Sequence, residues 1–135
     1  MIFIDSTVWI GAADRSDKWH RSAKRTIEKL PAGPLAITTD HVIGETVTIL
    51  GRRAQVSAEQ AKKVASDILN SPKVEVIFID EFLLHDALEK YPQYGGKLSL
   101  TDVVSITVME KYKIREIYSH DTDFDGAKGV VRKTD

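Results

Sequence analysis

The chain has 135 residues, of which 42% are hydrophobic and 29% are charged, and these proportions are ordinary for one globular domain with a full core. It contains 19 Lys and Arg against 20 Asp and Glu, and this balance argues against the strongly basic surface of many nucleic-acid binders. The absence of cysteine excludes a disulfide scaffold, a thiolate metal site and a cysteine nucleophile. No apolar run approaches the ~20 residues that span a bilayer, and no signal peptide is recognisable, so we expect a cytoplasmic protein.

Short apolar segments alternate with segments of helical length and period. In chain order, the predicted strands are Met1–Ile4, Leu35–Thr38, Val74–Ile79, Arg115–Ser119 and Gly129–Arg132. The predicted helices are Thr7–Ala13 continuing through Asp17–Leu30, Thr39–Arg53, Ser57–Asn70, Asp80–Tyr91 and Thr101–Tyr112. This alternation predicts one α/β domain over residues 1–135, with three layers and a mainly parallel sheet of about five strands. In such folds, ligands bind beyond the carboxyl ends of the strands.

Several polar residues mark helix starts. Ser57 and Gln60 form a capping-box pattern, and Ser99 with Asp102 forms a second one. Asp80 follows an apolar strand and precedes a helical segment, so we interpret it as an N-cap.

Two carboxylates lie in apolar surroundings. Asp5 ends the buried-strand pattern Met1–Ile4, and it either caps the next helix or faces a ligand at the carboxyl edge of the sheet. Glu45 lies in the helical segment His41–Leu50, which carries almost no other charge. Burial of an unpaired carboxylate is costly, so we interpret Glu45 as pointing into a polar pocket, with solvent contact or a salt bridge as the alternative.

Three further acids would reach the same edge of the sheet. Asp102 opens an apolar helix, where it is either a capping residue or part of a site. Asp121 and Asp123 follow the fourth predicted strand, where alternating acids also occur in ordinary turns. A calcium-binding loop is excluded because its central Gly and terminal Glu are missing.

Several carboxylates in one pocket require a compensating positive charge, because like charges at close range force protonation. Mg²⁺ or Mn²⁺ prefers oxygen ligands, and one or two such ions would resolve the conflict. These ions polarise phosphoryl oxygens and lower the pKa of bound water. The acids therefore predict hydrolysis of phosphodiester bonds.

Taken together, the motifs resemble the PIN-domain family, and within it the VapC-type toxin ribonucleases of toxin–antitoxin pairs. The matching segments cover nearly the whole chain in the family's order, and they are Ile2–Ser6, Glu45, Leu98–Asp102 and Ser119–Phe124. The resemblance implies a PIN-like fold and a Mg²⁺- or Mn²⁺-dependent endoribonuclease. It implies that the catalytic and metal-binding acids are Asp5, Glu45, Asp102 and Asp121. It also implies that Asp123 is a further metal ligand and that Ser6 and Ser119 support the acids by hydrogen bonds.

The resemblance also implies an RNA substrate, a small antitoxin protein and a homodimer. Positive charge for RNA binding is expected from Arg21, Arg25, Arg52 and Arg53, although a solvated helix face explains each cluster as well. A metal that neutralises the site acids would leave the remaining surface with an excess of bases. The apolar faces of Ile10–Ala13 and Val64–Leu69 are candidates for dimer or antitoxin contacts.

The aromatic residues and histidines carry weaker signals. Trp9 and Trp19 are predicted to be core and helix-packing residues. The four histidines lack zinc-site spacing and are expected at surface or capping positions. His120 adjoins Asp121, so contact with the substrate is an alternative for this residue.

Three alternatives to a toxin nuclease remain open. A stand-alone PIN nuclease in RNA processing would share the same acids. A phosphatase of the haloacid-dehalogenase type also begins with an apolar strand ending in Asp, but it requires a second Asp where this chain has Thr7. A non-catalytic α/β module that binds RNA, or one that resembles a receiver domain, would use the acids for a structural ion.

Overall fold

A five-stranded parallel sheet forms the centre of the computed structural model, which describes residues 1–135. In chain order the elements are β1 (Ile2–Ile4), α1 (Ser6–Ala13), α2 (His20–Glu28), β2 (Ala36–Thr39), α3 (Asp40–Gly51), α4 (Ala58–Asn70), β3 (Val74–Ile77), α5 (Glu81–Lys90), α6 (Leu100–Lys111), β4 (Glu116–Tyr118) and β5 (Val131–Lys133). Two 3₁₀ helices, Tyr91–Tyr94 and Thr122–Gly126, complete the chain. The predicted three-layer α/β/α fold with about five strands is confirmed.

The strand order is β3-β2-β1-β4-β5, which places β1 at the centre of the sheet. Phe3 of β1 pairs with Ile37 of β2 on one side and with Ile117 of β4 on the other. All three side chains are fully buried or nearly so, which explains why the central strands are apolar throughout. The order reverses between β1 and β4. In parallel sheets, this switch point opens a crevice at the carboxyl ends of the strands.

Helix α6 runs through the core. Its residues from Asp102 to Met109 are all buried, and a helix that is apolar on every face is typical of the interior of a domain. Leu98 and Ile114, just outside its ends, are also buried. None of the six helices is both long enough and apolar enough to cross a membrane.

The connection between α1 and α2 differs from the prediction. The predicted helical continuation from Ala13 through Asp17 is wrong, because the chain leaves the helix at Asp14 and α2 begins only at His20. The Asp14 carboxylate accepts hydrogen bonds from the Ser16 backbone N–H at 3.0 Å and from its hydroxyl at 2.7 Å. Such local bonds compete with helical hydrogen bonds and favour a turn.

The loop between these helices lets them pack closely. A Cβ atom on Gly11 of α1 would lie 3.0 Å from the Ala23 Cβ of α2, so a side chain at this position would push the helices apart. The His20 Nδ1 atom lies 2.8 Å from the Gly11 carbonyl oxygen and links the two helices further.

The predicted helix caps are confirmed. Ser57 and Gln60 form both hydrogen bonds of a capping box at the start of α4. Asp80 accepts a hydrogen bond from the Leu83 backbone N–H at 2.9 Å and caps α5. Strand β3 ends at Ile77, two residues earlier than predicted.

Candidate active site

Three carboxylates converge beside the switch point of the sheet. Asp5 follows β1, Glu45 belongs to α3, and Asp102 lies in the first turn of α6. One carboxylate oxygen from each residue lies within 4.8 Å of the other two. The three acids line a cleft of about 690 Å³, and Asp121 also lies on its wall. Four of the five predicted acids therefore face one cleft, and three of them form a tight cluster.

Asp5 occupies the N-cap position of α1, but its side chain makes no capping hydrogen bond. Instead, its Oδ2 accepts hydrogen bonds from the Ser119 hydroxyl at 2.7 Å and the Thr7 hydroxyl at 2.9 Å. Its Oδ1 has only a long contact of 3.5 Å with the Ser6 hydroxyl. The capping alternative is therefore not realised, and Oδ1 retains free acceptor capacity toward the cleft.

Two hydroxyls connect the acids to each other. The Ser6 hydroxyl donates to Glu45 Oε2 at 2.6 Å. The Ser119 oxygen accepts the Asp121 backbone N–H at 3.0 Å while its hydroxyl donates to Asp5. Ser6 and Ser119 thus each donate a hydrogen bond to one of the acids. Thr7 has a similar role that the sequence prediction did not include, although a small hydroxyl residue so close to Asp5 was a usable signal.

Asp102 combines both of the roles considered for it. Its Oδ2 accepts the Ser99 backbone N–H at 3.0 Å, and the Ser99 oxygen accepts the Asp102 backbone N–H at 3.1 Å. These two bonds form a complete capping box at the start of α6. A carboxylate has several acceptor positions, so capping is compatible with membership of the acid cluster.

The cluster carries negative charge that no basic side chain neutralises. Burial, with smaller contributions from the neighbouring charges of Asp5 and Glu45, raises the pKa of Asp102 to about 7, and the Ser99 hydrogen bonds oppose this rise. Burial also raises the pKa of Asp5, and burial with the charges of Asp5 and Asp121 raises that of Glu45. None of the three acids forms a salt bridge with Lys or Arg. A buried set of unpaired carboxylate oxygens has the ligand chemistry that Mg²⁺ and Mn²⁺ require.

Asp121 and Asp123 differ in their relation to the cleft. Asp121 lines it, and its Oδ1 accepts the Asp123 backbone N–H at 2.9 Å, which caps the 3₁₀ helix Thr122–Gly126. The turn considered for these acids is thus present. Asp123 is half-buried, does not line the cleft and makes no side-chain hydrogen bond or salt bridge. Its role as a metal ligand stays a prediction.

Arg53 holds the loop between α1 and α2. Its Nη1 lies 3.1 Å from Asp14 Oδ2 and 3.2 Å from Asp17 Oδ2. The Asp14 side chain is fully buried, and its pKa is lowered chiefly by the Ser16 hydroxyl, with Arg53 adding to the effect and burial opposing it. Arg53 lines the cleft as well, but its guanidinium is already paired.

The other predicted RNA-binding arginines lie outside the cleft. Arg25 pairs with Asp135, Arg52 is exposed without a side-chain partner, and Arg21 borders a shallow depression on α2. The lysines that do line the cleft are Lys18 and Lys97. Lys97 follows Gly95 and Gly96, and both glycines adopt positive φ in the loop that precedes α6.

Trp19 and His120 form a stacked pair on the cleft wall. Their ring centroids lie 4.8 Å apart, and the ring planes differ by 3°. Trp19 is 39% exposed, so its predicted place in the core is wrong, whereas Trp9 is a core residue as predicted. The expected surface or capping position of His120 is also wrong, because it is only 8% exposed. Burial lowers its pKa, and neither ring nitrogen has a hydrogen-bond partner.

The Arg53 pairing leads to a prediction about stability. Replacing Arg53 with Ala leaves the buried Asp14 carboxylate without its cation, so we expect the free energy of unfolding to fall by about 1–3 kcal/mol. The neighbouring Arg52→Ala variant is the matched control and should change it by less than about 0.5 kcal/mol. Urea denaturation of both variants measures the difference. Equal stability of the two variants would contradict this role for Arg53.

Known proteins share this architecture. The PIN domain family model matches residues 2–130 of the chain. The 23S rRNA-specific endonuclease VapC20 of Mycobacterium tuberculosis is 34% identical over 128 residues, which are 94% of this chain and 94% of that protein. The crystal structure of that VapC20, described as a sarcin–ricin loop cleaving toxin, has a TM-score of 0.84 and 32% identity over 95% of each chain. A toxin–antitoxin complex from Klebsiella pneumoniae contains the same fold, with a TM-score of 0.66 and 20% identity over 97% of this chain and 96% of that one.

These matches decide between the families considered above. The PIN model covers nearly the whole chain, including Asp5 and Asp121 at its two ends, so the haloacid-dehalogenase alternative is wrong. The five-stranded parallel sheet agrees with this match. The chain belongs to the PIN-domain family, and within it to the VapC-type toxin nucleases.

Proposed function

We propose that this protein is a Mg²⁺- or Mn²⁺-dependent endoribonuclease and the toxin of a VapBC-type toxin–antitoxin pair. As a VapC-type PIN-domain protein, it hydrolyses phosphodiester bonds of RNA. The observation that carries the metal dependence is the buried cluster of Asp5, Glu45 and Asp102, whose charge no basic side chain neutralises. The proposed nuclease domain extends over residues 1–135, and the RNA substrate implies action in the cytoplasm.

In this proposal, Asp5, Glu45, Asp102 and Asp121 hold one or two metal ions, and Asp123 is an additional ligand. A bound ion of this kind polarises a phosphoryl oxygen and lowers the pKa of a coordinated water. The donor set fits, because the four acids that line the cleft all offer carboxylate oxygens, which Mg²⁺ and Mn²⁺ prefer as ligands.

The surrounding side chains orient the acids. The Thr7 and Ser119 hydroxyls fix Asp5 Oδ2, and the Ser6 hydroxyl fixes Glu45 Oε2. One oxygen of Asp5 and one of Glu45 are thereby held in place. The second oxygen of each carboxylate is then oriented before a metal ion binds, so less conformational entropy is lost on binding. Lys18 and Lys97 line the same cleft, and their ammonium groups offset negative charge on the phosphate of a bound RNA.

Removal of metal tests the proposal directly. The purified protein should cleave RNA in Mg²⁺ or Mn²⁺, lose cleavage in excess EDTA and regain it when either ion is added back. Gel electrophoresis of a labelled RNA measures each step. Undiminished cleavage in EDTA would overturn the metal assignment.

Asp121 and Asp123, the two acids after β4, should differ in how much each contributes to metal binding. Asp121 lines the cleft and Asp123 does not, so we expect Asp121→Asn to reduce cleavage about 10- to 100-fold more than Asp123→Asn. Cleavage rates at saturating Mg²⁺ measure the two effects. A larger loss in Asp123→Asn than in Asp121→Asn would show that Asp123 is the stronger ligand of the two.

The RNA recognised by this chain is part of the proposal. VapC20 is named for its action on 23S rRNA, and 34% identity over nearly the whole chain makes 23S rRNA the first substrate to test. A stand-alone PIN nuclease in RNA processing is the second candidate, and the absence of an antitoxin gene beside this one would favour it.

An antitoxin and a homodimer complete the proposal. Between α1, α2 and α4 lies a mainly apolar groove of about 320 Å³, whose lining includes Ala12, Ala13 and Val64 from the two apolar segments singled out in the sequence. Ile10 is buried in the core and does not line this groove, whereas Ile68 lines it. Co-expression with the product of an adjacent small gene should suppress RNA cleavage, and light scattering should show twice the mass of one chain.

A further inference from the structure

We propose that the stacked pair of Trp19 and His120 is a nucleobase site, in which an unpaired base of the RNA stacks on the exposed indole of Trp19. This inference rests on the proposed function, because its ligand is a nucleotide of the RNA held beside the acid cluster. The site is distinct from the acids that hold metal, and it concerns recognition of the substrate.

The indole of Trp19 is exposed on the wall of the cleft. Trp19 is 39% exposed and lines the same cleft as Asp5, whereas the other tryptophan of the chain is buried in the core. An aromatic ring on the wall of a nuclease cleft offers the flat apolar surface on which nucleobases stack in single-stranded RNA complexes.

The loop that carries Trp19 is fixed by a hydrogen bond and by ion pairs. The Trp19 backbone N–H donates to Asp17 Oδ1 at 2.8 Å, and Arg53 pairs with both Asp17 and Asp14. A loop whose side chains are used in this way presents its aromatic residue in one orientation. Preorganisation of this kind reduces the entropy lost when a ligand binds.

His120 stacks on the indole of Trp19. The imidazole is 8% exposed, and neither of its nitrogens has a hydrogen-bond partner. Its backbone N–H donates to the Thr7 hydroxyl oxygen at 2.9 Å, and the same hydroxyl donates to Asp5. His120 is therefore a positioning residue, which ties the orientation of Trp19 to the acid cluster.

Two lysines place positive charge near the indole of Trp19. The Lys18 ammonium lies over the Trp19 ring, 5.4 Å from its centroid, and Lys97 lines the same cleft. The flexible lysine chain can give way to a base and move to the phosphate of that nucleotide. Stacking reads any base but requires that the base be unpaired, so the site selects single-stranded segments over duplexes.

The test measures binding without cleavage, in EDTA and at one fixed salt concentration. The probes are a short single-stranded RNA and a duplex of equal length. We expect Trp19→Ala to weaken binding of the single strand by about 5- to 150-fold, and Trp19→Tyr to retain most of the affinity. His120→Ala should weaken binding, and His120→Phe should restore it because the flat ring is kept.

The control is another exposed aromatic residue with a lysine over its ring. Tyr112 is 37% exposed, and the Lys111 ammonium lies 5.8 Å from its ring centroid, but Tyr112 does not line the cleft. Tyr112→Ala should leave affinity unchanged. In a Trp9→Phe background, where Trp19 is the only tryptophan, the single strand should quench the fluorescence and the duplex should quench it much less.

The outcomes separate this inference from the proposed function. Cleavage in Mg²⁺ together with unchanged single-strand affinity of Trp19→Ala would overturn the base site and leave the nuclease intact. Failure of the unmodified protein both to bind and to cleave RNA would overturn both. Loss of affinity in Trp19→Ala and His120→Ala, with recovery in Trp19→Tyr and His120→Phe, supports the base site.

Discussion

Substitution of Asp5 by Asn should reduce RNA cleavage at least about 100- to 1,000-fold. Asp5 is the acid common to the whole site, because it belongs to the cluster with Glu45 and Asp102 and accepts hydrogen bonds from Thr7 and Ser119. Loss of its charge removes a metal ligand, and metal ions contribute several kcal/mol of transition-state stabilisation, at about 1.4 kcal/mol per tenfold in rate. Single-turnover cleavage at saturating Mg²⁺ measures the loss.

The same substitution should not destabilise the metal-free fold. Burial raises the pKa of Asp5, so the ionised carboxylate is less favourable in the folded chain than in the unfolded chain near neutral pH. An uncharged amide of the same shape removes this cost, and the metal-free variant should melt at the same temperature as the unmodified protein or above it. Added Mg²⁺ or Mn²⁺ should raise the melting temperature of the unmodified protein and have little effect on Asp5→Asn.

Asp86 provides the matched control for this experiment. It is an exposed acid on α5 that forms no side-chain hydrogen bond or salt bridge and does not line the cleft, so Asp86→Asn removes the same charge outside the site. Cleavage and the metal-induced shift should both be unchanged in this variant. Full cleavage by Asp5→Asn, or equal losses in the two variants, would refute the assignment of Asp5.

The metal-free protein should lose stability as the pH rises from about 4 to 7. In the folded state the pKa of Asp102 is about 7, against an ordinary value of 3.8, so over this interval the folded chain binds more protons than the unfolded chain. The stabilisation from the protonated carboxyl is therefore complete below pH ~4 and is lost as the pH passes through the folded-state pKa. After allowance for the partial exposure of Asp102, the free energy of unfolding should fall by about 2 to 4 kcal/mol over this pH interval.

Asp14 has the opposite effect on the pH dependence of stability, and it acts in a lower pH range. Its pKa is lowered, chiefly by the Ser16 hydroxyl, so its contribution to stability is present above its unfolded-state pKa and is lost as the pH falls. The metal-free protein should therefore be most stable between the two ranges, on the acidic side of neutrality.

Thermal melting in EDTA across pH 4 to 8 measures this dependence, with an expected fall of roughly 5 to 15 °C toward neutral pH. Asp102→Asn should flatten the curve, because the amide oxygen can still accept the Ser99 N–H while the titrating group is gone. A metal ion needs the deprotonated carboxylate, so apparent Mg²⁺ affinity should rise up to about pH 7. A melting temperature of the unmodified chain that rises over this interval would contradict the shifted pKa of Asp102.

Much of the fold follows from local patterns in the sequence. The central strands are apolar on both faces, and the capping residues Ser57, Asp80 and Ser99 mark the starts of three helices. The path between α1 and α2 was predicted incorrectly, because Asp14 and Asp17 form side-chain hydrogen bonds that a helical period does not reveal. Helical periodicity reports which face is apolar, and it does not report where polar side chains replace helical hydrogen bonds.

The acids of the site were easier to predict than its aromatic and basic residues. Glu45 conflicts with its apolar helix and Asp5 ends a buried strand, so each of these two positions needs an explanation that involves the site. Trp19 and Lys18 lie in a polar loop where neither residue type is unusual, and only the tertiary structure brings them to the cleft. Arg53 was predicted from a basic cluster in the sequence to bind RNA. In the structure its guanidinium pairs with Asp14 and Asp17, and the sequence pattern does not reveal these partners.

The position of β1 at the centre of the sheet has a consequence for synthesis of the chain. Asp5 emerges among the first residues, but its Ser119 partner lies 114 residues later, and the neighbouring strand β4 is nearly the last to be made. A nascent chain thus carries the first acid of the site for almost the whole of translation without the partners that orient it. Contacts of such long sequence separation also form late in folding. The site is therefore complete only after β4 and Ser119 have been made.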